Sequence, residues 1–159
     1  MWSDRTTCVH DCMNTELTQL TKLVLDRGYL MSLGIVDEQG PWVADVIYIF
    51  DDDFNLYWMS QPTRRHSQAI DSGSNRVAVA IAVTQGPEQP DEGLQISGTA
   101  QRIDVRDSSL LKLWMNKKQK EYLPEMGTVL DEHVWYKLTP DCIELIYQEK
   151  FDYNRQKVK

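Results

Sequence analysis

The sequence predicts an α+β fold, a mainly antiparallel barrel, closed or partly closed, with short flanking helices. Three observations lead there. About seven segments have strand character, and most are joined by turns short enough for hairpins. Strands and helices do not alternate as βαβ units, so a parallel sheet is not expected. The chain has 159 residues, 42% hydrophobic and 26% charged, which is the size and composition of one globular domain.

Residues 1–13 show little apolar periodicity and are expected to form an arm, with Met13 an alternative starting residue. Within 15–27, Leu17, Leu20, Val24 and Leu25 fall near helical spacing, and Gly28 follows as a stop. The period then shortens. Residues 29–36 read as a strand, 37–41 as a turn, 42–50 as a second strand, 51–55 as a turn and 56–60 as a third strand. Trp42 and Trp58 are expected to pair across the hairpin of the last two. Pro62 opens a short helix over 63–71, where its fixed φ is tolerated. In 76–84, Val77, Val79, Ile81 and Val83 alternate with alanines, which reads as a strand buried on both faces. A loop over 85–93, a strand over 94–105 and a helix over 108–123 follow. Strands over 134–138 and 142–147 are separated by a break at Pro140–Asp141, and residues 150–159 form a polar, basic tail. The expected organisation is an arm (1–13), a barrel domain (14–149) and the tail (150–159).

Charge narrows the function classes. Seventeen Lys and Arg against 24 Asp and Glu leave a net charge of −7. Nucleic acid and anionic membranes need a basic face, so neither is an expected partner. No apolar run approaches the roughly 18 residues of a membrane span, and the first residues lack an apolar signal core. Three cysteines are too few for a disulfide framework. A cytoplasmic protein with a small-molecule partner is the expectation.

Few residues invite chemistry. Thr63-Arg64-Arg65-His66-Ser67 gathers cationic side chains at a helix start, which reads either as an anion site or as a solvated basic turn. Cys8, His10 and Cys12 have metal-capable side chains, but no second ligand pair exists, so no metal site is assigned. Cys142 reads as a small core residue. His133 reads as a heme ligand or, preferably, as a surface histidine at a strand start. Asp51-Asp52-Asp53 reads as a hairpin tip, since it lacks the spaced ligands of a calcium loop. No Ser/His/Asp or Cys/His set presents itself, so no catalytic residue is assigned.

The order of several segments carries more information than any one of them. A strand after Gly40-Pro41 is followed by Leu56-Tyr57-Trp58-Met59-Ser60, the basic helix start and Ser74-Asn75-Arg76-Val77-Ala78-Val79. The segment from Leu94 through Gly98 and Ala100, and the stretch around Pro140, complete the series. Over residues 16–147 this resembles the pyridoxamine 5′-phosphate oxidase-like family of FMN-binding split barrels. The resemblance implies a homodimer with FMN in clefts at its interface. It also implies that Ala44, Asp45, Val46, Ile47, Tyr48 and Ile49 run along the flavin. Met59 and Ser60 would lie near the phosphate, with Arg65 and His66 binding it. The family oxidases carry an arginine where this chain has Ala44, a lysine at His66 and a glutamine at Gly93. Arg64 turned inward would replace the missing arginine, and Trp135 or Tyr136 from a partner subunit would cover the ring. The C-terminal arginine motif of the vitamin oxidase is absent. The implied function is therefore a flavin-dependent oxidoreductase of unassigned substrate, related to that oxidase but distinct from it. Alternatives are a heme-binding or heme-degrading split barrel and a non-catalytic flavin- or ligand-binding module; heme, F420 and FAD are the alternative cofactors.

Overall fold

The structure, a computed structural model, describes residues 5–106 and 108–159, with side chains described from Thr15 onward except at position 107. Its elements are α1 (Arg5–Arg27), β1 (Leu30–Asp37), β2 (Gly40–Ile47), β3 (Ile49–Phe50), β4 (Leu56–Ser60), α2 (Arg65–Asp71), β5 (Arg76–Ala82) and β6 (Glu92–Ile103). Then come α3 (Ser108–Lys117), a 3₁₀-helix (Pro124–Asp131), β7 (Val134–Tyr147), α4 (Gln148–Phe151) and β8 (Gln156–Lys157).

One antiparallel sheet runs in the order β2-β1-β5-β6-β7-β4-β3, with β8 added on β7. Its two ends, β2 and β3, are separated in sequence by Tyr48 alone. They are halves of one bent strand, so the covalent chain joins the edges of the curled sheet where ladder hydrogen bonds do not. Tyr48 is fully buried at this bend and its hydroxyl donates to the Leu25 carbonyl at 2.8 Å. Lys117 donates to the same carbonyl at 3.0 Å and lies 4.7 Å from the Tyr48 ring centre. A cation thus meets the C-terminal end of α1, where the helix dipole favours it.

The interior follows from the two-residue period of the strands. Met31, Leu33 and Ile35 of β1, Val77, Val79 and Ile81 of β5, and Leu94 and Ile96 of β6 all point inward. Trp58 and Tyr136 stack between β4 and β7 with ring centres 5.6 Å apart. Val24 and Leu25 of α1 and Ala69 and Ile70 of α2 pack on this core. A second, smaller cluster joins Ile49, Leu111, Met115 and Trp135.

The antiparallel barrel expectation holds, and several details change. The helix α1 runs from Arg5 among the described residues, not only from near Thr15. The side chains of Cys8, His10 and Cys12 lie outside the described residues, as does residue 107. The expected second strand divides into β2 and β3 at Tyr48. Trp42 and Trp58 do not pair: Trp42 faces Ile35 across β1–β2 and is 44% exposed, whereas Trp58 is buried. The strand β5 is buried on one face only, with Ala78, Ala80 and Ala82 exposed. The expected helix 108–123 stops at Lys117, and Gln119 takes a positive φ of 55° just beyond it. Pro140 does not break a strand. It sits inside the 14-residue β7, opposite Gly98, at a shift of register after Ser97. A bulge is where a strand tolerates a residue with no N–H to donate. Cys142 is half-buried, not a core residue, because it faces outward opposite Ser97. In the 51–55 turn, Asp51 is more than a solvated tip. It accepts hydrogen bonds from Asn55, the Tyr57 hydroxyl and the Asp53 backbone. Burial and the Asp51 bond together push the Tyr57 hydroxyl up to about 12. The tail is tied down, with β8 paired to β7 and Val158 N–H donating to the Ile143 carbonyl at 2.8 Å.

Candidate functional site

The strand β4 ends at Ser60, and a turn stabilised by the Arg64 N–H on the Gln61 carbonyl (3.1 Å) leads into α2. The three potentially cationic side chains at this helix start then take three different roles. His66 is buried and its Nε2 lies 2.8 Å from the Ser60 hydroxyl. Desolvation, assisted by the charge of Arg64, lowers its pKa below the usual histidine value. His66 is therefore a neutral tether between β4 and α2. Arg65 is a clamp. Its Nε and Nη2 each donate to Asp37 at 2.7 Å, and Nη2 also reaches the Gly40 carbonyl at 3.2 Å. The Asp37 bond raises the Arg65 pKa, and Arg65 in turn holds the Asp37 carboxyl below its ordinary range. The same guanidinium lies 4.8 Å from the centre of the Trp42 ring. Arg64 is exposed and forms no ion pair among the described residues. It is the unengaged cation of the three.

The segment expected along a flavin is split by the pleat. Ala44 and Val46 pair with the inward residues Leu33 and Met31 and share their side of the sheet. Asp45 and Ile47 take the other side, where Asp45 accepts the Ser32 hydroxyl at 2.7 Å. Tyr48 and Ile49 are buried, the first at the bend and the second in the smaller cluster. Met59 is half-buried opposite Trp135. The structure thus gathers the start of β2, Ser60 and Arg64–His66 in one place, while Tyr48 and Ile49 serve the packing of the barrel. Sequence reasoning missed Asp37 and the stacking of Arg65 on Trp42. Asp37 is 28 positions before Arg65, and no local pattern links a turn aspartate to a helix-start arginine across that separation.

Two further concave surfaces flank the sheet. A groove of about 550 Å³ runs over the outer face of β1, β5 and β6, floored by small residues such as Gly34, Ala78, Ala80 and Ser97. A cavity of about 620 Å³ lies at the end of β1 away from Asp37, between Tyr29 and Gln89, and none of the predicted site residues lines it. Among the described residues no helix is long and apolar enough to cross a membrane.

The burial of His66 has a consequence for pH dependence. A base whose pKa is lowered on folding binds more protons when unfolded, so stability rises with pH across the window between the two values. The contribution is complete above the ordinary histidine value of about 6.5 and is lost as pH falls through the lowered one. Urea unfolding at pH 7.5 and 5.5 should show lower stability at the acidic value. In His66→Gln that difference should shrink; an unchanged difference would remove His66 as its source.

No family profile matches the chain, and no curated protein matches it. Solved structures do. One is a candidate pyridoxamine 5′-phosphate oxidase from Listeria innocua, with a TM-score of 0.64 and 20% identity over 82% of this chain and 98% of that one. Another is a heme binding protein from Mycobacterium smegmatis, with a TM-score of 0.67 and 11% identity over 88% of this chain but only 56% of that one. A third is an F420 reductase, with a TM-score of 0.59 and 16% identity over 77% of this chain and 94% of that one.

Proposed function

We propose, from the split-barrel fold that this chain shares with pyridoxamine 5′-phosphate oxidase-like proteins, that it binds FMN and acts as a flavin-dependent oxidoreductase on a small-molecule redox substrate. The working unit is a cytoplasmic homodimer. One observation carries the cofactor reading: the start of the flavin-side strand and the basic start of α2 are in contact. Arg65 bonds Gly40 and covers Trp42, which leaves Arg64 unengaged beside them.

The residues present fit the group. Arg64, at the start of α2 four residues after Ser60, offers its planar fork to a phosphate. The exposed Trp42 ring offers apolar surface to a flat heterocycle. The Nε2 of His66 is taken by Ser60, which counts against His66 as a heme ligand. Bound FMN would supply the two-electron redox chemistry, while the chain's residues orient the ring and exclude water.

Self-association is supported by the outer face. Val36 and Val43 on the β1–β2 hairpin are 63% and 62% exposed, and the small residues flooring the adjacent groove allow close approach of a second sheet.

The test is direct. Purified protein mixed with FMN should retain a flavin absorption band through gel filtration and should sediment as a dimer. Arg64→Ala should weaken FMN binding about tenfold or more, the worth of a charge-assisted hydrogen bond. Arg65→Ala should weaken it less, because that guanidinium is already engaged by Asp37. Equal FMN affinity in wild type and Arg64→Ala would sink the phosphate assignment.

A further inference from the structure

The ladder between β1 and β5 is short. It pairs Ser32 with Ala80, Leu33 with Val79 and Gly34 with Ala78, and goes no further. Both strands nevertheless continue past Ser32 and Ala80. β1 stays with β2 at Met31 and Leu30, and β5 stays with β6 at Ile81 and Ala82. Beyond their last pair the two strands therefore part, and the cavity of about 620 Å³ lies in the opening. None of the residues assigned to FMN lines it.

Alternation decides which backbone groups face that opening. In an antiparallel sheet, successive residues bond first one neighbouring strand and then the other. Val83 donates its N–H to the Glu92 carbonyl at 3.0 Å, so Val83 and Ile81 turn their main chain toward β6. Ala82 turns its N–H and C=O the other way, toward β1. In the register that pairs Ser32 with Ala80, its partner would be Leu30, and that pair is not made. Leu30 and Ala82 both line the cavity and both are exposed. The loop after β5 forms a further wall: Thr84 Oγ1 accepts the Glu92 N–H at 3.0 Å, and Gln89 Oε1 accepts the Gln85 N–H at 3.3 Å. Arg27 and Glu92, the charged residues of the lining, are joined at 2.5 Å and cancel each other. The volume falls within the roughly 300–1,000 Å³ of ligand pockets.

We infer that this opening binds a short, uncharged peptide in extended conformation. Such a chain presents its N–H and C=O groups to opposite sides at alternate residues. One residue of the ligand meets Ala82 on one wall, and its neighbour meets Leu30 on the other. These are the main-chain bonds of strand addition, with the ligand completing the ladder that β1 and β5 leave open. Small apolar side chains on the ligand rest against Tyr29 and Pro90, which also line the cavity. A charged peptide gains nothing from a lining whose charges are already paired.

The probe is the blocked tripeptide acetyl-Val-Ala-Val-amide, added to the full-length chain, with amide hydrogen exchange read residue by residue by NMR. In the free protein the Leu30 and Ala82 amides should exchange faster than those of Met31 and Ile81 beside them. Saturating probe should slow both about tenfold or more. The same tripeptide methylated on its backbone nitrogens loses its donors and should bind about tenfold more weakly. Ala82→Pro deletes an N–H that no strand uses, so its melting temperature should stay near wild type while probe affinity falls about tenfold. Val83→Pro deletes the donor to Glu92 and should melt many degrees lower. Slow exchange at Leu30 and Ala82 in the free protein would mean that the opening is already closed, by the strands themselves or by a second copy of the chain, and would overturn the inference. So would absence of probe binding, a failure of either amide to respond, or equal affinity for the methylated peptide. FMN added in place of the peptide should leave the two amides unchanged; protection by FMN would assign the opening to the flavin and overturn the peptide reading.

Discussion

Replacing Trp58 with alanine should lower the stability of the protein by about 3–5 kcal/mol, the cost of emptying a large aromatic site in a packed interior. Trp58 is fully buried between β4 and β7 and stacks on Tyr136 with the ring planes 18° apart. Its removal deletes apolar contact on all sides and the stacking partner of a second buried ring. Small domains have about 5–15 kcal/mol in total, so this change alone brings the barrel near its unfolding limit. The denaturant midpoint should fall while the slope stays constant. Trp58→Phe is the informative companion. It keeps a ring against Tyr136 and removes the indole N–H, which has no partner among the described residues. Its cost should be well below that of alanine. A loss below about 1 kcal/mol in Trp58→Ala would show that the interior is not packed around this residue.

Gly98→Ala should destabilise by about 3 kcal/mol, the upper end of the overpacking range, although it adds one methyl group. A Cβ at this position would overlap the Thr139 carbonyl oxygen and come within 2.8 Å of the Pro140 Cα. Both are backbone atoms of the neighbouring strand, so no rotamer change relieves the clash. Gly86→Ala is the control, because a Cβ there meets nothing within 4 Å and the residue has no positive φ. Thermal unfolding of the two variants should differ by many degrees, with Gly86→Ala close to wild type. Similar melting temperatures would mean that the bulge between β6 and β7 adjusts freely.

These positions also show what could be read from sequence. The alternation in β5 and β6 was legible because inward valines, isoleucines and leucines recur every second residue. The exposure of the alanines in β5 was not, since a small apolar residue suits a buried face and an outer face equally. Pro140 looked like a break because its local effect is to remove a donor. The accommodation comes from Gly98, about forty residues earlier, and only the paired strands reveal it. The bend at Tyr48 has the same character: residues 42–50 have continuous strand composition, and the interruption depends on a hydroxyl reaching Leu25 in α1. At the candidate site, the residue types around Arg64–His66 were visible, but their states were not. Burial neutralises His66 and Asp37 occupies Arg65, and both depend on what the fold places beside them.

The bent strand β2–β3 has a consequence for where the backbone can be cut. Cleavage or new chain termini within residues 85–90, between β5 and β6, would leave the ring of strands connected. A cut at Tyr48 would release the two ends of the sheet from each other and present two unpaired strand edges, each a template for association with another chain. A circular permutant opened between β5 and β6 should therefore remain well behaved, whereas one opened at Tyr48 should aggregate. In this barrel the seam without ladder hydrogen bonds is also the position at which peptide continuity matters most.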